Sequence, residues 1–234
     1  IHVHLRSQVL EHSKLYRYYE KIFELALFCK ESMGWEMEFI NFGGGLGIVY
    51  SSLNDIPLNL ELLSVEFEKL LLRFKDKISA RLIIETGRFV VCEAGKYVTR
   101  IVDIKESRGT KYLVVENGLN GFLRPSIAEL LTAYTPQDIK LQGCEPLFTS
   151  KDAFEFAILG KEKLPAEKVS IVGNLCTSAD IMAKDIILPK ADIGDILVVS
   201  KAGSYSYTLT PTLFSSHPLP LQFYLNENCE KCIL

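Results

Sequence analysis

Glu85-Thr-Gly-Arg88 sets a carboxylate and a guanidinium three residues apart at the end of an apolar run. Such a pair can serve one ligand with two charge demands. The arginine meets a phosphate, and the carboxylate meets a protonated ring nitrogen. The plain alternative is a surface ion pair between the two. Gly43-Gly-Gly-Leu-Gly47 follows another apolar run. Glycines let the backbone turn sharply and bring its N–H groups close to an anion, so phosphate is the natural ligand. A tight strand-to-helix turn explains the run equally well. The run also approaches a dinucleotide fingerprint, with Glu61 near the spacing of a ribose-binding acid. Ile48 stands where the third glycine of G-x-G-x-x-G belongs, and the β-rich second half argues against that reading.

His2 and His4 share one face of a period-two segment. The pair could be half a metal site, a flat surface for an aromatic cofactor, or two hydrogen-bonded core histidines. Gly173-Asn-Leu-Cys176-Thr-Ser-Ala-Asp180 puts a thiol on a polar loop. It could donate a proton or attack, or it could be an inert small hydrophobe. In Ala202-Gly-Ser-Tyr205, the tyrosine hydroxyl could bond a phosphate or simply end a strand. Cys229-Glu-Lys-Cys232 has metal spacing without a second ligand pair, so no metal is expected.

Composition narrows the classes. With 26 basic and 29 acidic residues among 234, the net charge is −3, which argues against nucleic-acid binding. No apolar run approaches a membrane span. Six cysteines scattered through core-like segments fit a reducing, cytoplasmic setting. The apolar alternating start at Ile1, without Met, reads as the middle of a longer protein.

The elements that must position these residues change character along the chain. Ile1–Leu5, Glu38–Phe42 and Arg81–Glu85 read as strands. Between them lies a helix capped by Ser13 and ended by Gly34. A second helix follows Asn59 and is expected to bury Leu62, Leu63, Leu70, Leu71, Phe74 and Ile78. Strand, helix, strand, helix, strand argues for a parallel sheet. From about Val90 the pattern turns mainly β, with runs at Tyr97–Lys105, Tyr112–Val115, Val169–Val172 and Asp195–Val199 and one short helix at Arg124–Tyr134.

The order of the segments is distinctive. His4-Leu-Arg-Ser-Gln8, Gly43–Gly47, Glu85–Arg88, Asn117-Gly-Leu-Asn-Gly-Phe-Leu-Arg-Pro125, Gly173–Cys176 and Ala202–Tyr205 occur in one chain. Over residues 1 to about 224 the set resembles the fold-type III pyridoxal-phosphate decarboxylases, the diaminopimelate/ornithine/arginine decarboxylase family. The resemblance implies an α/β plus β architecture. Residues 1–92 would be the C-terminal part of a pyridoxal-phosphate-binding (β/α)8 barrel, and residues 93–234 a mainly β, β-barrel-like domain. It implies pyridoxal 5'-phosphate as cofactor, an amino-acid substrate and a homodimer with shared active sites.

By the same resemblance, His4 stacks on the cofactor ring. Ser7, Gly43, Gly44, Gly45, Arg88 and Tyr205 hold the phosphate, and Glu85 pairs with the ring nitrogen. Cys176 donates a proton across the dimer interface, and Arg124 binds a substrate carboxylate. Three departures bear on the substrate. Arg6 replaces a usual glycine, Thr177 an acidic residue that reads a distal amine, and Ala128 a tyrosine. They imply a divergent substrate without a distal ammonium, or one tethered to a carrier. They also leave open a non-catalytic homologue with a binding or regulatory role. The family's Schiff-base lysine precedes the His motif, so the chain is expected to be a C-terminal fragment, inactive alone.

Overall fold

The computed structural model describes residues 1–50, 55–134, 151–228 and 231–233. Cys144 and Cys229 lie outside them. The chain forms two compact units, one holding residues 1–94 and 151–153, the other residues 95–134 and 154–233.

The first unit is an alternating α/β layer. Helix α1 (His12–Met33) precedes strand β1 (Phe39–Asn41). Helix α2 (Leu60–Phe74) precedes strand β2 (Arg81–Ile83), and a one-turn helix α3 (Gly87–Val91) follows. β1 and β2 pair in parallel, with Asn41 opposite Ile83. The expected strand at Ile1–Leu5 is reduced to a parallel bridge between His2 and Asn41. It is held by Val3 N–H to Asn41 O at 3.0 Å and Asn41 N–H to Ile1 O at 2.9 Å. The three chain segments therefore run side by side and end together.

Gly34 closes α1 in the left-handed region at φ 69°, where glycine carries no steric cost. The start of α1 differs from the sequence expectation. The cap is Glu11, and Ser13 already lies in the first turn. Asn59 caps α2 through its side chain, which accepts from Leu62 N–H at 2.9 Å. The buried stripe of α2 is Leu63, Leu70 and Phe74, while Leu62 and Leu71 are exposed. A single helix face cannot also hold the residue next to each buried one. That stripe meets Tyr19 and Phe23 of α1 and Phe42 beyond β1. Phe23 and Phe74 stack at 5.0 Å. Each such ring contributes about 1.5–3 kcal/mol by leaving water.

The second unit is a six-stranded sheet in the order β5-β8-β3-β4-β6-β7. Its strands are β3 (Tyr97–Ser107), β4 (Thr110–Val115), β5 (Phe156–Ile158), β6 (Ala166–Val172), β7 (Ile181–Pro189) and β8 (Ile196–Val199). β5 and β7, the two ends of that order, lie beside each other, so the sheet is nearly closed. Helix α4 (Leu123–Tyr134) packs on β7. The sequence reading missed β7. Asp185 takes a left-handed φ of 53° and the register against β6 shifts along the pair, which breaks the two-residue alternation. A short hairpin of β9 (Phe223–Leu225) and β10 (Lys231–Ile233) follows.

Candidate functional site

In the first unit His4, Ser7, Gly43–Gly45 and Glu85 come together where the three parallel segments end, while Arg88 packs against Tyr50. Asn41, the last residue of β1, uses both ends of its amide. Its Nδ2 donates to Glu85 Oε1 at 2.8 Å, and its Oδ1 accepts from Gly43 N–H at 2.8 Å. His2 Nε2 lies 3.7 Å from the same Glu85 oxygen. The Glu85 carboxylate is about half exposed. It is not paired with Arg88, so the surface ion pair between these two is not what forms.

His4 Nδ1 accepts from Gly44 N–H at 3.0 Å. That bond fixes the neutral tautomer, with the proton on Nε2, which faces Ser7 Oγ at 3.3 Å. The glycines are required by close approach. A Cβ on Gly43 would stand 2.8 Å from His4 Nδ1, and one on Gly44 would stand 2.7 Å from Glu85 O. A Cβ on Gly45 would meet Arg6 O at 2.7 Å. Asn41 Oδ1 and His4 Nδ1, from the neighbouring strand ends, take two of the three glycine N–H groups. Among the described residues, no acceptor meets the Gly45 N–H.

Tyr18 of α1 braces the same place. Its hydroxyl is held by the carbonyls of Val3 and Phe42 and accepts from Leu5 N–H at 3.1 Å. Burial pushes its pKa up, helped by the Glu85 charge and opposed by the Leu5 bond. Arg88 is buried. Its Nη1 donates to Tyr50 Oη at 3.2 Å, its guanidinium lies 5.5 Å over the Tyr50 ring, and Cys92 Sγ is 3.5 Å from that oxygen. A hollow of about 380 Å³ between the Leu5–Glu11 segment and the start of α1 has Arg6, Lys14 and Tyr18 among its walls, and none of His4, Gly43–Gly45, Glu85 or Arg88 lines it.

The second unit carries the other candidates. Cys176 is exposed on the loop between β6 and β7. Thr177 Oγ1 accepts from Ala179 N–H at 3.2 Å, which shapes the tip of that loop. Arg124, the second residue of α4, is fully buried and lies 5.4 Å over the Phe154 ring. Tyr205 is half-buried and takes a left-handed φ of 52°. Sequence reasoning missed Asn41, Tyr18, Tyr50 and Asp180. A polar residue ending an apolar strand just before the glycines was the available signal for Asn41.

A glycine turn that leaves no room for a Cβ, a flat imidazole and an open carboxylate at adjoining strand ends suit a phosphorylated cationic aromatic ring. Comparison with known proteins agrees. Residues 1–92 match the pyridoxal-dependent decarboxylase, pyridoxal binding domain, and residues 47–203 match the pyridoxal-dependent decarboxylase, C-terminal sheet domain. The chain belongs to the pyridoxal-dependent decarboxylase family, which uses pyridoxal phosphate. It is 32% identical to the diaminopimelate decarboxylase of Methanothermobacter thermautotrophicus, over 97% of this chain and 48% of that protein. It is 28% identical to a Staphylococcus aureus enzyme, 2-[(L-alanin-3-ylcarbamoyl)methyl]-2-hydroxybutanedioate decarboxylase, over 87% of this chain and 49% of that protein. The crystal structure of the diaminopimelate decarboxylase of Methanocaldococcus jannaschii superposes with a TM-score of 0.79 at 27% identity. That superposition covers 99% of this chain and 48% of that one. The chain spans about half the length of the curated relatives it matches. Among the described residues, no helix is long and apolar enough to cross a membrane.

Proposed function

We propose that the protein containing this chain is a cytoplasmic pyridoxal-phosphate-dependent decarboxylase of an amino acid or amino-acid derivative, acting as a homodimer. The first unit is its contribution to the cofactor barrel, and the second is its β domain. The single observation that carries this reading is the convergence of His4, the Gly43–Gly45 turn and Glu85 at three adjoining strand ends. Pyridoxal phosphate, when bound, supplies a sink for the electron pair left when CO₂ departs.

The chain's own groups have separate tasks. Glu85, oriented by Asn41, would hold a proton on the ring nitrogen. A cationic ring draws electrons more strongly than a neutral one. His4 would offer the face of its imidazole to the ring, its own orientation being set by Gly44 and Ser7. Ser7, the glycine turn and Arg88 would hold the phosphate, and the family resemblance alone assigns Tyr205 to the same task. The Cys176 thiol holds the proton that replaces CO₂ on the substrate carbon of the partner's site. Arg124 answers a substrate carboxylate.

The substrate is a divergent one. Thr177 cannot offer a charge to a distal ammonium, and Ala128 removes a further side chain. The Staphylococcus relative's name describes an amino acid whose distal nitrogen is part of a carbamoyl group, and is therefore uncharged. CO₂ release by the full-length protein with pyridoxal phosphate tests the proposal. Diaminopimelate, lysine and ornithine are compared with amino acids whose distal amine is acylated. The acylated set is expected to turn over at least tenfold faster. No CO₂ from any of them contradicts the reading.

A further inference from the structure

We propose that Asp180 is the positioning residue that sets the Cys176 thiol relative to the segment carrying Arg124. This deepens the decarboxylase reading and rests on it for the role of Cys176. The Asp180 side chain is buried, at 3% exposure. Its Oδ1 accepts from Leu119 N–H at 2.6 Å, and its Oδ2 accepts from Leu175 N–H at 3.0 Å. The main chain of the same residue closes the same loop. Gly173 N–H donates to Asp180 O at 3.0 Å, and Asp180 N–H donates to Thr177 O at 3.2 Å. Residues 173–180 therefore form a loop pinned from inside by one residue. Cys176 sits at its exposed tip, directly after the pinned Leu175.

The other arm of the carboxylate reaches a second loop. Beyond Leu119, Gly121 and Phe122 both donate N–H to Gly118 O, at 3.0 and 2.9 Å. That turn delivers the chain into α4, where Arg124 is the second residue. One carboxylate thus ties the loop of the proton donor to the loop that launches the substrate arginine.

The seat is shaped for two oxygens and nothing larger. A Cβ on Gly118 would stand 2.2 Å from Oδ1, and one on Gly173 would stand 2.1 Å from Oδ2. An ionised carboxylate accepts through both oxygens. An asparagine amide must turn its NH₂ toward one of the two N–H donors and cannot satisfy both. Asp180→Asn therefore releases one loop from the other with almost no change in volume.

The test uses the full-length protein loaded with pyridoxal phosphate. Asp180→Asn is expected to lower kcat ten- to hundredfold, while KM and cofactor absorbance stay within twofold. In a Cys176→Ala background the same substitution is expected to change kcat by less than twofold, because what it positions is gone. Equal losses in both backgrounds overturn the proposal. Alkylation of Cys176 by iodoacetamide, followed by peptide mapping, reads the loop without turnover. A change in rate of at least threefold is expected in Asp180→Asn, and an unchanged rate overturns the proposal. A protein that binds no cofactor would sink the decarboxylase reading, yet an altered alkylation rate would still uphold the clamp. Should the variant fail to fold, hydrogen exchange on the wild type decides. The Leu119 and Leu175 amides are expected to exchange at least 100-fold slower than unstructured peptide, and free exchange at either overturns the proposal.

Discussion

The two units hold their reactive groups by opposite means. In the first, glycine N–H groups meet side-chain acceptors from neighbouring strand ends, Asn41 Oδ1 and His4 Nδ1. In the second, one buried carboxylate gathers main-chain N–H groups from two loops. The first arrangement is as firm as the parallel register beneath it. The second depends on a single residue. A charge proposed to face a cofactor suits the first kind of support, and a thiol proposed to serve a partner's site suits the second.

The largest expected effect lies at that thiol. Cys176→Ala is expected to lower kcat by about 10²–10⁴-fold, the range for removing a positioned proton donor, with cofactor loading unchanged. Turnover and absorbance measured together check this. Equal loss of cofactor would erase the distinction between the units. Glu85→Gln removes the charge proposed to face the ring nitrogen and is expected to cost about 10²–10³-fold in kcat. The cofactor should remain bound, and its absorbance should shift toward that of a neutral ring. Asn41→Ala should reproduce part of the loss, because it frees the carboxylate to turn.

Two smaller predictions concern stability. Burial pushes the Tyr19 hydroxyl up to about 12. Its folded value exceeds its unfolded one of 10.0, so the folded state keeps the proton longer. The stabilisation is whole below pH 10 and is lost as pH rises through about 12. At about 1.4 kcal/mol per unit, the loss is on the order of 3 kcal/mol. Tyr19→Phe should flatten this alkaline fall in chemical denaturation, and an identical fall would refute the assignment. Gly44→Ala drives a Cβ toward the Glu85 carbonyl. It is expected to cost about 1–3 kcal/mol by overpacking and to weaken cofactor binding at the same time. Gly109→Ala, whose Cβ would meet open space but whose φ of 78° strains any side chain, should cost stability alone and leave cofactor binding unchanged.

The architecture was legible where hydrophobic period and turn chemistry agree. Gly34 and Asn59 marked helix ends, and the apolar runs at Tyr97, Tyr112, Val169 and Asp195 marked strands. It failed where the backbone departs from its period. Asp185 at φ 53° hid β7, and the short bridge at His2 replaced a full strand. The site residues were named one at a time, because sequence spacing cannot show which side chains share a hydrogen bond. The Asn41–Glu85 and His4–Gly44 contacts link residues about 40 positions apart. The partnership of Tyr50 with Arg88, and the double use of Asp180, left no local pattern to read. Arg124 carries a charge that sequence rules place at the surface, yet it is fully buried.

We propose that His4, the glycine turn and Glu85 form one cofactor seat. Titrating the full-length protein with pyridoxal phosphate, then reducing it with borohydride and mapping the labelled lysine, tests this most directly. One cofactor per chain, with affinity lowered at least tenfold in Gly44→Ala and the ring absorbance changed in Glu85→Gln, is the expected result. Binding that neither substitution alters would contradict the account.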